Sequence, residues 1–155
     1  MSWIKKILLV LLIVFIAIQF IQPARNTNGQ GLPTDIANAV SVPENVKEIL
    51  QTSCYDCHSN HTNYPWYNYV QPTGWILANH IKHGKKDLNF SDFGSYPIRK
   101  QQSKLKAIAD QIKDGEMPLS SYTLIHRNAR LSKEEKSLII DWAQNAKDSL
   151  DKINP

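Results

Sequence analysis

The sequence predicts a mostly α-helical domain preceded by one N-terminal transmembrane helix. Three observations carry that reading. A run of 15 residues, Ile7 to Ile21, holds Gln19 as its only polar side chain. Four later segments repeat apolar residues at spacings of three and four between helix-capping signals. No two alternating runs are joined by a hairpin turn. With 155 residues, 42% of them hydrophobic, the chain has room for one globular domain and not for several.

Trp3 and Ile4 extend the apolar stretch back across Lys5-Lys6, so that Trp3 to Ile21 would span roughly 28 Å as a helix, near the ~30 Å hydrocarbon core. A buried core helix would show a polar face, and this run shows none. Lys5 and Lys6 stay cytoplasmic by the positive-inside rule, which puts the rest of the chain on the periplasmic side of the cytoplasmic membrane. Gln22-Pro23-Ala24-Arg25 offers no small-x-small cleavage site, favouring an uncleaved signal anchor over a signal peptide. Residues 1–23 are therefore the expected anchor. Residues 24–40, with Asn26, Asn28, Gly29, Gly31 and Pro33 and no helical periodicity, read as a linker. The domain is expected over 41–150.

Its first helix runs to about Ser53, with Pro43 at the first helical position, Ser41-x-x-Glu44 as a capping box, and Val46, Ile49 and Leu50 on one face. A second is expected from Thr73 to His83, with Thr73 as N-cap, Ile76, Leu77, His80 and Ile81 on one stripe, and Gly84 as its stop. A third covers about Lys100 to Asp114, where Leu105, Ile108, Ala109 and Ile112 share a face and Gly115 ends it. The fourth has the clearest signal: Ser132-x-x-Glu135 is a capping box, Glu134 and Glu135 suit the first-turn dipole, and Leu138, Ile139, Trp142 and Ala146 line one face.

The formal charge of +4 comes mostly from the N-terminus, since Lys5, Lys6 and Arg25 leave 15 basic against 14 acidic residues for everything after them. A domain so near neutrality lacks the footprint that phosphate-backbone binding needs, which excludes nucleic acid as a partner class. Two cysteines, both within four residues, can staple almost nothing, so their role is chemical.

Cys54-Tyr55-Asp56-Cys57-His58 is C-x-x-C-H. Two thiols at this spacing can add to the two vinyl groups of haem while the adjacent histidine serves the iron as axial ligand. A redox dithiol would normally follow a strand in a βαβ pattern, and helices flank this motif. A zinc site would need both thiolates plus two of His58, His61, His80 and His83. The sixth iron ligand is to be chosen from Met117 and the histidines at 61, 80, 83 and 126. Met117 is the first candidate: it sits in the turn Gly115-Glu116-Met117-Pro118 and is the only methionine besides Met1. His80, on the apolar stripe of its helix, is the second.

Further segments accompany the motif: C-Y-D-C-H-S-N at 54 to 60, Tyr64-Pro65-Trp66-Tyr67, Trp75 through His80 and Gly84 to Leu88-Asn89-Phe90-Ser91, Glu116-Met117-Pro118-Leu119 with Tyr122, and Leu131-Ser132 leading to Trp142. On this ordered set the chain resembles the bacterial haem-binding domain family related to class I cytochromes c, over about residues 41 to 146. The resemblance implies a class I cytochrome c-like helical fold, one haem c attached to Cys54 and Cys57, His58 as proximal and Met117 as distal iron ligand. It also implies an insertion between the haem motif and the distal methionine, because 58 residues lie between His58 and Met117. A plain reading of that insertion has Tyr64, Trp66, Tyr67, Trp75 and Phe90 walling the haem. By analogy with similar cytochromes, either Pro65 or Pro72 would offer the carbonyl that orients His58.

With both axial positions filled by protein, no site remains for dioxygen or peroxide, and a thioether favours reduced iron. The expected function is electron transfer at the outer face of the membrane, without enzymatic activity. The expected partner is a redox protein, for which Lys82, Lys85, Lys86, Arg99, Lys100 and Lys104 form either an acid-seeking docking patch or a merely solvated face. The alternative is a haem-based gas or redox sensor with an open or labile distal site. A small peroxidase would need that same open site with His80 or His126 and Arg127 or Arg130 over it.

Overall fold

A computed structural model of the chain describes residues 2–29 and 31–153. Met1 of the expected anchor and Gln30 of the expected linker lie outside the described residues. Among those described, eight α-helices follow one another: α1 (Trp3–Ile18), α2 (Ile36–Ala39), α3 (Glu44–Ser53), α4 (Tyr55–His58), α5 (Thr73–Asp87), α6 (Ile98–Lys113), α7 (Ser120–Ile125) and α8 (Lys133–Ile153). Short 3-10 turns cover Trp66–Tyr69, Phe90–Ser95 and Arg127–Ala129. Among the described residues, extended pairing is limited to one antiparallel bridge, Thr27 with His61.

The core lies between the long helices α6 and α8, where Leu105, Ile108, Ala109 and Ile112 meet Ile139, Trp142, Ala143 and Ala146. Val46 and Leu50 of α3 close one side, and Phe90 and Phe93 another. The α8 capping box forms: Ser132 N donates to the Glu135 carboxylate (2.7 Å) and Glu135 N donates to Ser132 Oγ (3.1 Å). Gly115, at φ +75°, turns the chain out of α6.

The expected transmembrane helix is not supported. Helix α1 has 16 residues, which at 1.5 Å each is about 24 Å, short of the ~20 residues a span needs. Among the described residues no helix is long and apolar enough to cross a membrane, so the expected single-pass, periplasm-facing placement loses its basis. The physical reason is Gln19, which caps α1 instead of continuing it. Its Nε2 donates to Phe15 O (2.8 Å) and its Oε1 accepts from Gln71 N (2.8 Å), so the chain turns onto the domain at this point.

The expected linker is not a free tether either. Asn26 is buried and gives its side-chain amide to Ser59 O (2.8 Å) and Thr62 Oγ1 (3.0 Å). Ile36 is fully buried in the core, and Gly94 N donates to Thr34 O at 2.7 Å. Two helix boundaries also move. Glu44 pairs with Lys47 rather than closing a box on Ser41, whose carbonyl instead accepts from Trp142 Nε1 (2.9 Å). Pro72, not Thr73, caps α5, and the helix passes through Gly84 to Asp87. That glycine is used for contact: a Cβ there would lie 2.8 Å from Cys57 O.

Candidate functional site

The chain reaches the C-x-x-C-H segment through Cys54, which ends α3 and begins α4. His58 N and Cys57 N both bond to Cys54 O (3.0 and 3.2 Å), winding the motif into one helical turn. Helix α5 packs on that turn at Gly84, and α6 with the turn after it completes the enclosure. The result is a cavity of about 510 Å³, within the ~300–1,000 Å³ typical of small-molecule and cofactor sites. Cys54, Cys57 and His58 line it from α4 and Met117 from the turn after α6. Its walls are apolar: Leu50, Phe90, Ile108, Ile112, Leu119 and Ile139. His80, His83 and Lys104 supply polar lining.

His58 is oriented by backbone. Its Nδ1 lies 3.0 Å from Leu88 O, and a carbonyl only accepts, so Nδ1 carries a proton and in the neutral ring Nε2 is the nitrogen with the lone pair. The Leu88 segment is fixed in turn by Asn89, which donates to Asn60 Oδ1 (2.9 Å) and Asp92 Oδ2 (2.5 Å) and accepts from Ser91 N (3.1 Å). Asn60 N donates to Ser91 Oγ at 3.0 Å, closing the tie back to the histidine's own strand of chain. Phe90 stacks on Tyr55 at 5.0 Å between ring centroids and tilts against His58 at 6.0 Å.

The thiols are desolvated. Burial, then the neighbouring Cys57, pushes the Cys54 thiol up to about 12, and burial, then Asp56, pushes the Cys57 thiol up to about 11. Both are neutral at ordinary pH, opposite to the shift a thiol-exchange dithiol uses. The zinc alternative finds no cluster: among the described residues no three His, Cys, Asp or Glu side chains come together as a metal site.

A family model described as a haem-binding domain matches residues 13–145. The chain belongs to this haem-binding domain family. No curated protein and no solved structure matches it. The matched span begins well before the C-x-x-C-H motif and takes in the segment at 24–40 that packs on the domain. The residues fit the family's group: apolar walls suit a haem's macrocycle, and His58, its Nδ1 held by Leu88 O, lines the cavity with a ring whose other nitrogen can serve an iron.

Of the residues expected around the haem, Cys54, Cys57, His58, Phe90 and Met117 line the cavity. Tyr64, Pro65, Trp66, Pro72 and Trp75 do not, and neither proline carbonyl orients His58. The aromatic insertion clasps the N-terminal segment instead. Tyr64 OH accepts from Asn26 N (2.7 Å), Tyr69 OH accepts from Arg25 (3.0 Å), and Trp75 Nε1 donates to Ile21 O (2.8 Å). Arg25 also lies over the Tyr69 ring at 4.5 Å, and Trp66 is 79% exposed. Polar handles on Tyr and Trp serve such a half-wet seam as well as a cofactor wall, and the sequence does not distinguish the two.

The basic cluster is divided. Lys82 and Lys86 are exposed, Lys85 donates to Asn26 Oδ1 (2.6 Å), Lys100 lies over the Tyr96 ring (3.8 Å), and Lys104 lines the cavity. Sequence reasoning missed the Leu88 carbonyl, because a backbone acceptor leaves no residue signature. It also missed the pairing of Asp56, inside the motif, with Tyr122, whose hydroxyl donates to Asp56 Oδ2 at 2.8 Å. Burial, then this carboxylate, pushes the Tyr122 hydroxyl well above the usual tyrosine range, so it stays a donor.

Proposed function

We propose that the chain holds one haem c covalently through Cys54 and Cys57, with His58 and Met117 as iron ligands, and that it carries electrons without catalysing a reaction of its own. The supporting observation is the convergence of two neutral thiols, an imidazole whose Nδ1 is committed to the Leu88 carbonyl, and a thioether on the walls of a single apolar cavity. Each thiol adds across a vinyl double bond, its hydrogen passing to the vinyl carbon with no oxidant required. Once bound, the iron supplies a one-electron couple whose potential a thioether ligand raises.

The chain's own residues do the rest. Leu88 O and the Asn89 network hold the His58 ring. Leu50, Ile108, Ile112 and Ile139 keep water from the site, and low polarity there favours the less charged, reduced iron. Exposed Lys82 and Lys86, with Lys104 at the cavity wall, suit an acidic redox partner protein.

The test is the absorption spectrum of the matured protein, oxidised and reduced, before and after carbon monoxide. A low-spin spectrum with the weak long-wavelength thioether-to-ferric band and no response to carbon monoxide is expected, with the band lost in Met117→Ala. A high-spin spectrum that takes carbon monoxide readily would make the protein a haem-based sensor instead.

A further inference from the structure

The turn that carries Met117 is short of anchors of its own. Glu116 N and Met117 N both reach back to Gln111 O at the end of α6 (3.0 and 3.2 Å), and α7 follows with no fully buried residue. What joins this stretch to the motif is Tyr122, in the first turn of α7 and itself on the cavity wall. Its hydroxyl donates to Asp56 Oδ2 (2.8 Å), the carboxylate between the two cysteines' own positions in the chain. Asp56 is held from its other oxygen, where Oδ1 accepts from Asn63 N (3.0 Å). The Tyr122 ring is backed by His126, stacked at 4.2 Å and 14°, and His126 Nε2 meets Tyr67 OH at 2.5 Å.

We infer that Tyr122 is a positioning residue: by donating to Asp56 it latches the Met117 turn to the haem-attachment helix and holds the distal side of the cavity closed. The inference rests on the Met117 ligand reading. A hydrogen bond to a charged acceptor is among the stronger ones a protein makes, and this one spans 66 residues of chain. With haem bound, the latch would limit how far Met117 can move from its place on the cavity wall, and so whether an external ligand could enter.

Three variants of the full chain separate the possibilities. Tyr122→Phe keeps the ring on His126 and removes the donor, Asp56→Ala removes both acceptor oxygens, and Asp56→Asn keeps one acceptor oxygen for the two donors Tyr122 OH and Asn63 N. In the cofactor-free protein, amide hydrogen exchange at residues 117–125 is expected to rise about tenfold in the first two and by less in the third, where one of the two donors keeps its acceptor. In the matured protein, carbon monoxide binding to the reduced form is expected to rise about tenfold in the same two. The double variant Tyr122→Phe/Asp56→Ala should be no worse than Asp56→Ala alone, because both substitutions remove the Tyr122–Asp56 bond and Asp56→Ala also removes the acceptor of Asn63 N. Unchanged exchange and unchanged carbon monoxide binding in Tyr122→Phe would overturn the inference, as would additive effects in the double variant. Met117→Ala tells the two failures apart: if it leaves the spectrum unaltered, the ligand reading itself has failed, whatever the latch does.

Discussion

His58 Nδ1 donates to the backbone oxygen of Leu88, 3.0 Å away and 30 residues on in the chain. This one bond fixes the ring's tautomer and leaves Nε2 as the nitrogen available to a metal. Its acceptor is backbone, so no substitution at Leu88 removes it directly. The Asn60, Asn89 and Asp92 side chains hold that carbonyl in place.

Asn89→Ala is therefore expected to act on the histidine at one remove. Asn89 is 5% exposed, and removing its amide leaves Asn60 Oδ1 and Asp92 Oδ2 without that donor in a part-buried setting, at a cost of about 1–3 kcal/mol. A lowered urea midpoint with an unchanged slope checks the stability effect. A shifted potential in the matured protein checks the effect on His58. If neither moves, the network does not support the ring.

Gly84→Ala tests the packing of α5 on the motif. The added Cβ would meet Cys57 O at 2.8 Å, and that oxygen is backbone, so the helix or the motif must move. Overpacking of this kind costs about 1–3 kcal/mol, against the slight gain alanine normally brings to a helix interior. Thermal unfolding of the variant is expected at lower temperature than the parent. A stabilised variant would show that α5 does not press on Cys57.

Much of the fold was legible in the sequence, and the reasons are local. α6 and α8 announce themselves because their buried faces repeat at helical spacing and because Gly115 and the Ser132–Glu135 box mark an end and a start. Gly84 was legible as a glycine and misleading as a stop, since close approach and chain termination ask for the same residue. The 15-residue apolar run invites a membrane-spanning reading, and Gln19 breaks it through partners at Gln71 that no local pattern reveals. At the site, Cys54, Cys57, His58 and Met117 could be picked out by chemistry alone. The Leu88 carbonyl, the Asp56–Tyr122 pair and the destination of the aromatic insertion all depend on long-range contacts.

Gln71→Ala addresses that insertion. Gln71 is fully buried and its side chain donates to Gln22 Oε1 (3.0 Å) and accepts from Trp75 N (3.1 Å). Losing it should loosen the segment around Gln22, whose side-chain partner it is, while the backbone bonds of Gln71 to Gln19 and the cavity stay intact. Limited proteolysis is expected to cut that segment several-fold faster, with the spectrum of the bound cofactor unchanged. A changed spectrum with no new cutting would return the insertion to the cofactor's surroundings.

The most direct test of the central claim is the intact mass, under denaturing conditions, of the full chain produced in a host that attaches haem c. An increase by the mass of one haem, abolished in Cys54→Ser/Cys57→Ser, is the predicted result. A chain that leaves the denaturant at its bare polypeptide mass would contradict covalent attachment through these two cysteines.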